Sequence, residues 1–136
     1  MKPDNRKESE RWLNQAIRDI DDAKYAFEGK RFNLACFVSQ QSAEKAIKAY
    51  LYAQGSEEVW GHSVAELCNE AMKLNPSFKN IKKEAASLDK YYIPTRYPNG
   101  LPGGIPADVY QEEDAKSALY SANKIIEFVK EKIINQ

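Results

Sequence analysis

Apolar residues return every three or four positions through almost all of this 136-residue chain, and nowhere do they alternate at period two for long enough to make a strand. That restricts the fold to packed helices, each burying one stripe. Trp12, Leu13, Ala16, Ile17, Ile20, Ala23 and Phe27 share one face, which predicts a helix from about Ser9 to Glu28 with residues 1–8 frayed ahead of it. Gly29 follows, where a helix end favours positive φ. Asn33 is placed to cap a second helix that runs to about Gln54 and closes at Gly55. Its inner face holds Ala35, Ser39, Ser42, Ala43, Ala46, Ile47 and Tyr50, several of them small enough for a neighbouring helix to approach closely.

Ser63-Val-Ala-Glu66 has the form of a capping box, opening a short helix through Val64, Leu67, Cys68 and Ala71. Asn75-Pro76 restarts a helix with proline where its missing N–H costs nothing, and Phe78, Ile81, Ala85 and Leu88 form its stripe. The last helix begins near Gln111, with Glu112, Glu113 and Asp114 at its positive end. Ala115, Leu119, Ala122, Ile126, Val129 and Ile133 make its seam. The expected architecture is a single all-α domain over residues 1–136. It is an antiparallel up-and-down four-helix bundle with an extra short helix in one connection and a long Pro/Gly/Tyr loop before the last helix.

Composition narrows the function classes. Twenty Lys plus Arg balance twenty Asp plus Glu, so no bulk positive field holds nucleic acid, and any phosphate site must be a local cluster. No stretch approaches the ~18 consecutive apolar residues of a membrane helix. The charged N-terminus lacks the apolar core of a secretion signal, which makes the cytoplasm the expected location. Cys36 and Cys68 lie within helical patterns and read as small core residues. No cofactor motif or metal-ligand spacing occurs. His62, the one histidine, has no Cys or acid beside it at ligand spacing and is expected to support the start of the helix capped by Ser63.

The loop from Tyr91 to Pro106 is the anomaly. Pro94, Pro98, Pro102 and Pro106 stand four apart in it, with Gly100, Gly103 and Gly104 between them. Bundle connections usually take about 2–8 residues, so a longer, proline-stiffened one needs a reason. Arg96 lies within it, flanked by Tyr92 and Tyr97, either held out to fork onto a phosphate or carboxylate or paired with an acid to pin the loop. Glu44 and Lys48 have the spacing of a helix-surface ion pair, ordinarily solvated. Gln40, one turn earlier, extends them into a polar band that can instead face a groove or a partner.

Three blocks carry a family resemblance: Ser39-Gln-Gln-Ser-Ala-Glu-Lys-Ala-Ile-Lys-Ala-Tyr-Leu51, Gly61-His-Ser-Val-Ala-Glu-Leu67 and Tyr92-Ile-Pro-Thr-Arg-Tyr-Pro98. In order and spacing the chain resembles a HEPN domain (higher eukaryotes and prokaryotes nucleotide-binding) from about Trp12 to Ile134. The resemblance implies a helical bundle, commonly homodimeric, and often the companion of a minimal nucleotidyltransferase; several members are RNA-cutting toxins. Ribonuclease members carry an Arg followed four to six residues later by His, often with Glu-x-x-x-Lys/Arg/His on an earlier helix. Arg96 matches the Arg, and Glu44 with Lys48 matches the second pattern. The His is absent, since positions 100–103 are Gly, Leu, Pro and Gly. Cleavage needs both a base and an acid, and Arg serves poorly as either.

The expectation is therefore a nucleotide- or RNA-phosphate-binding domain, homodimeric, in a toxin–antitoxin-like pair with a nucleotidyltransferase and without efficient catalysis or a catalytic residue of its own. Arg96 supplies the phosphate contact, and Glu44, Lys48, Gln40, Tyr92 and Tyr97 line the same groove. A metal-independent ribonuclease toxin with an altered active site and a structural dimerisation module are the alternatives.

Overall fold

The structure is a computed structural model describing residues 3–134, and no strand occurs among them. Six α-helices follow in order: α1 (Pro3–Glu28), α2 (Phe32–Ala53), α3 (Val64–Leu74), α4 (Lys82–Leu88), α5 (Pro106–Val109) and α6 (Glu112–Ile134). A 3-10 turn over Pro76–Ile81 leads into α4, and shorter ones cover Asp89–Tyr91 and Pro98–Gly100.

Helix α1 starts well before the expected Ser9. It takes in residues 3–8 of the segment expected to fray, while residues 1 and 2 lie outside the described range. Ser9 is buried and its Oγ donates to the Ala49 carbonyl at 2.8 Å, while Glu8 accepts from Trp12 Nε1 at 3.0 Å.

The turn after α1 also differs from expectation. Lys30, not Gly29, takes the positive φ, at 61°. Gly29 still bonds the Tyr25 carbonyl at 3.1 Å, so reversal falls one residue later. There Lys30 N–H reaches Phe27 O at 3.0 Å and Arg31 N–H reaches Ala26 O at 2.8 Å, the bond pair of a Schellman ending. Asn33 does not cap α2. The helix begins at Phe32 behind Arg31, whose carbonyl accepts from Ala35 N–H at 2.9 Å. The Asn33 amide instead donates to Thr95 O at 3.1 Å and ties the long loop to α2.

Contacts set the directions. Ser9 meets Ala49 and Trp12 stacks on Tyr52, so α1 and α2 are antiparallel. Phe78 touches Tyr50, late in α2, and Phe128, late in α6, at ring centroid distances of 4.5 and 4.9 Å; α2 and α6 therefore run the same way. The segment through α4 descends between them, joined to α6 by the Glu84–Lys124 pair at 2.9 Å. The result is the expected bundle of α1, α2, the Pro76–Leu88 segment and α6, with α3 the extra short helix. Helix α2 is central and is buried on nearly every side.

Cys36 and Cys68 are free, buried core residues as expected. Burial pushes the Cys36 thiol up from 9.0 to about 12, the Asp114 carboxylate adding to the rise and Lys90 opposing it. Burial likewise raises Tyr91 from 10.0 to about 12, helped by Cys36, Asp114 and Tyr110. The unfolded chain releases these protons first, so stability from the two groups is intact below pH 9 and is lost as pH rises towards about 12. Cys36→Ala should lose less of its melting temperature than wild type between pH 9 and pH 12; identical losses would contradict this account.

Candidate functional site

One stripe of α2 organises the site. Phe37, Gln40, Glu44 and Lys48 follow one another at steps of three, four and four, so their side chains lie along one face, with Gln41 beside Gln40 and three residues before Glu44. That face meets the connection from Gln54 to Ser63 and the long loop after Tyr91.

Glu44 and Lys48 are not the solvated pair that their spacing suggests. Their side chains are only 5% and 7% exposed, and Lys48 Nζ lies 3.1 Å from Glu44 Oε2. Gln41 Nε2 stands 3.4 Å from Glu44 Oε1, and Lys48 Nζ sits 5.4 Å from the centre of the Trp12 ring. The cause is tertiary: the connection after α2 folds back beside Glu44, and Trp12 of α1 lies against Lys48. Gly61 allows that return at φ 101°, a conformation costly to any residue with a Cβ. The return sets His62 beside Glu44, with Nδ1 at 3.3 and 3.4 Å from the two carboxylate oxygens.

Gln40 lines no groove. It is fully buried, its Nε2 donating to the His62 carbonyl at 2.8 Å and its Oε1 accepting from Gln41 at 2.7 Å. Its polarity serves to hold His62. Ser63 caps α3 as expected, accepting from Glu66 N–H at 3.1 Å. Asp89, beyond α4, completes the cap. Its carboxylate accepts from Ser63 Oγ at 2.7 Å, Val64 N–H at 2.6 Å and Ala65 N–H at 3.3 Å. The residue after His62 is thus anchored from a third element, a role that nothing in the local sequence around Asp89 announces.

The long loop reaches the site through an aromatic ladder. His62 stacks on Tyr92 (centroids 5.0 Å apart), Tyr92 on Phe37 (6.2 Å), and the Arg96 guanidinium lies over Phe37 at 5.1 Å. Buried Thr95 fixes the turn. Its Oγ1 donates to Tyr91 O at 2.6 Å and its carbonyl accepts from Asn33. Arg96 N–H and Tyr97 N–H both reach Ile93 O, at 3.0 and 3.2 Å. Gly100 packs where a Cβ would come within 2.9 Å of Pro94 Cα, so this turn needs glycine.

Of the two roles open to Arg96, the structure rules out the loop-pinning ion pair. The residue is exposed and pairs with no carboxylate among the described residues. It is not held between Tyr92 and Tyr97. Phe37 carries it, while Tyr97 points to solvent and stacks on no described ring. The expected residues therefore divide. Arg96 and Tyr92 belong to one ladder, Glu44, Lys48 and Gln40 support its far end through His62, and Tyr97 stands outside. Phe37 and His62 join the site with no local signal that would single them out. His62 lay within one of the resemblance blocks, but eighteen residues separate it from Glu44 in the chain.

The described residues hold no cluster of His, Cys, Asp and Glu able to take a metal ion. The buried pair can be tested with two variants. Lys48→Met strands the Glu44 carboxylate and should cost about 3 kcal/mol in urea unfolding, the low end for breaking a buried pair. Adding Glu44→Gln should restore most of that; a single-variant loss under ~1 kcal/mol would mean the pair is effectively solvated.

A model of the HEPN domain family matches residues 9–132. A Methanocaldococcus jannaschii protein whose name marks it as a candidate toxin is 28% identical, the alignment covering 93% of this chain and 89% of that one. Among solved structures, a protein from Thermus thermophilus superposes with TM-score 0.83 at 38% identity, covering 92% of this chain and 98% of its own. An archaeal HEPN homologue gives TM-score 0.77 at 41% identity, with 93% and 98% covered. A HEPN domain protein from Thermotoga maritima gives 0.75 at 31%, with 93% and 99% covered. With its helical order, its capped return to His62 and its Arg-bearing loop all inside the matched span, this chain belongs to the HEPN domain family.

Proposed function

We propose that this chain binds a nucleotide or RNA phosphate at Arg96, as the homodimeric companion of a nucleotidyltransferase in a toxin–antitoxin-like pair and without efficient catalysis of its own. The observation that carries the reading is the state of Arg96. Its guanidinium is exposed, unpaired among the described residues and laid over Phe37, with its backbone fixed by the 93–97 turn. A forked cation already ordered loses little freedom when it takes two oxygens of a phosphate.

The spacing of the ladder supports the lack of catalysis. His62 is the one histidine available as base or acid, and two aromatic rings stand between it and Arg96. Cleavage needs proton transfer at the atoms that the cation stabilises, and no contact among the described residues joins His62 to Arg96 directly. Ile93, Tyr97, Ile105 and Val109 leave apolar surface exposed along the loop, which supports pairing of two copies, or of this chain with its partner enzyme, over that face.

A ribonuclease is the second reading, favoured by the toxin name of the archaeal relative. It requires RNA cleavage without added metal that is abolished by Arg96→Ala or His62→Ala.

Thermal unfolding against a nucleotide panel decides the main reading. Ligand at 100 times its dissociation constant should add about 2.7 kcal/mol of stability. Arg96→Ala should weaken binding by ~10- to 100-fold, the loss of a charged hydrogen-bonded contact. No stabilisation of wild type by any nucleotide or by RNA would end the phosphate-binding reading. A nucleotidyltransferase encoded beside this chain and co-purifying with it would support the companion role; its failure to bind would remove that role.

A further inference from the structure

His62 is the group whose two ring nitrogens the structure tells apart. Nδ1 faces both oxygens of Glu44. A carboxylate already paired with Lys48 can only accept, so Nδ1 carries a hydrogen and the neutral ring has its lone pair on Nε2. Nε2 has no protein partner among the described residues, and the side chain is 59% exposed. The ring cannot easily turn away. Tyr92 covers one face, Gln40 holds the His62 carbonyl, and Asp89 holds the next residue. In the neutral ring Nε2 is thus the outward acceptor at one end of the ladder, with the Arg96 guanidinium at the other.

An acceptor selects for a donor. Phosphate oxygens only accept, and in a nucleic-acid backbone the 2′-hydroxyl of ribose is the group able to donate. We propose that His62 Nε2 reads a ribose hydroxyl on a strand whose phosphate lies on Arg96, so that this site prefers ribonucleotide strands to deoxyribonucleotide strands. The assignment rests on the phosphate-binding reading above. Phe37 and Tyr92 link the two groups through successive ring contacts, and a strand of several nucleotides can offer a phosphate to Arg96 and a ribose hydroxyl to His62 together. Gln40, Glu44 and Asp89 are positioning residues that act through His62. Lys48 neutralises Glu44 and leaves Nδ1 its acceptor.

Fluorescence anisotropy with end-labelled hexauridylate and its deoxyuridine counterpart, at one salt concentration, tests this, because the two probes differ only in the 2′-hydroxyls. Wild type should bind the ribo probe roughly 3- to 10-fold more tightly, the effect of one neutral hydrogen bond. His62→Phe keeps a ring to stack on Tyr92 but removes the acceptor, and it should bring the two affinities together without weakening the deoxy probe. His62→Ala should do the same, with melting temperatures verifying that both variants fold. Arg96→Ala should weaken both probes alike. Equal binding of the two probes by wild type, or a ribo preference that survives in His62→Phe, overturns the assignment and leaves the Arg96 reading standing. Binding of neither probe by wild type overturns the assignment and, together with a silent nucleotide panel, the Arg96 reading as well.

Discussion

A carboxylate placed inside a helical bundle has to be answered by its surroundings. Glu44 sits on the central helix with almost no access to water, and an uncompensated charge there would cost several kcal/mol. Lys48 supplies the opposite charge one turn along α2, and Gln41 and His62 direct hydrogens at the two oxygens. Such pairs add little net stability compared with apolar packing, but they are intolerant of rearrangement. The connection after α2 must therefore return to this spot. The turn at Gly61, the Gln40 amide on the His62 backbone and the Asp89 cap on α3 are the means by which it does so.

The same compensation gives the surface its chemistry. With Glu44 occupied by Lys48 on one side, the imidazole on the other is oriented and its outer nitrogen is defined. The aromatic ladder extends that order to the long loop, because Tyr92 and Phe37 present flat faces that stack without any directional bond. Arg96 closes the ladder from above Phe37, exposed but ordered. The bundle thus holds an imidazole and a guanidinium at the two ends of a ladder of rings anchored on α2 and the loops beside it. Proline spacing gave the loop its stiffness, while Thr95 and Asn33 give it its place.

The residues that sequence reasoning placed well were those governed by local rules. Ser63 caps α3, Gly55 closes α2, and the stripes of α1, α2, α3 and α6 became the core. Its errors share a cause. Asn33 has the chemistry of a cap but was drawn to Thr95, sixty-two positions away; Gly29 could adopt positive φ, yet the reversal fell on Lys30. Glu44 and Lys48 have surface-pair spacing and became buried because His62 returns beside Glu44 and Trp12 of α1 lies against Lys48. Gln40 looked like part of a binding face, yet its amide is consumed by the backbone of that segment.

Periodicity, capping residues and the proline–glycine run determined by themselves that this is a helical bundle with one stiff, arginine-bearing loop. Those signals act within a turn or two of chain, where backbone hydrogen bonds and side-chain direction are set locally. Which side chains meet was decided only by tertiary structure. The approach of His62 to Glu44, of Asp89 to Ser63 and of Arg96 to Phe37 joins elements 18 to 59 positions apart, and spacing along the chain carries no information about such pairs. The family motif pointed to Arg96 and to the lack of a nearby histidine. The fold brings the one histidine, His62, to Glu44 and Tyr92 instead, at the other end of the ladder from Arg96.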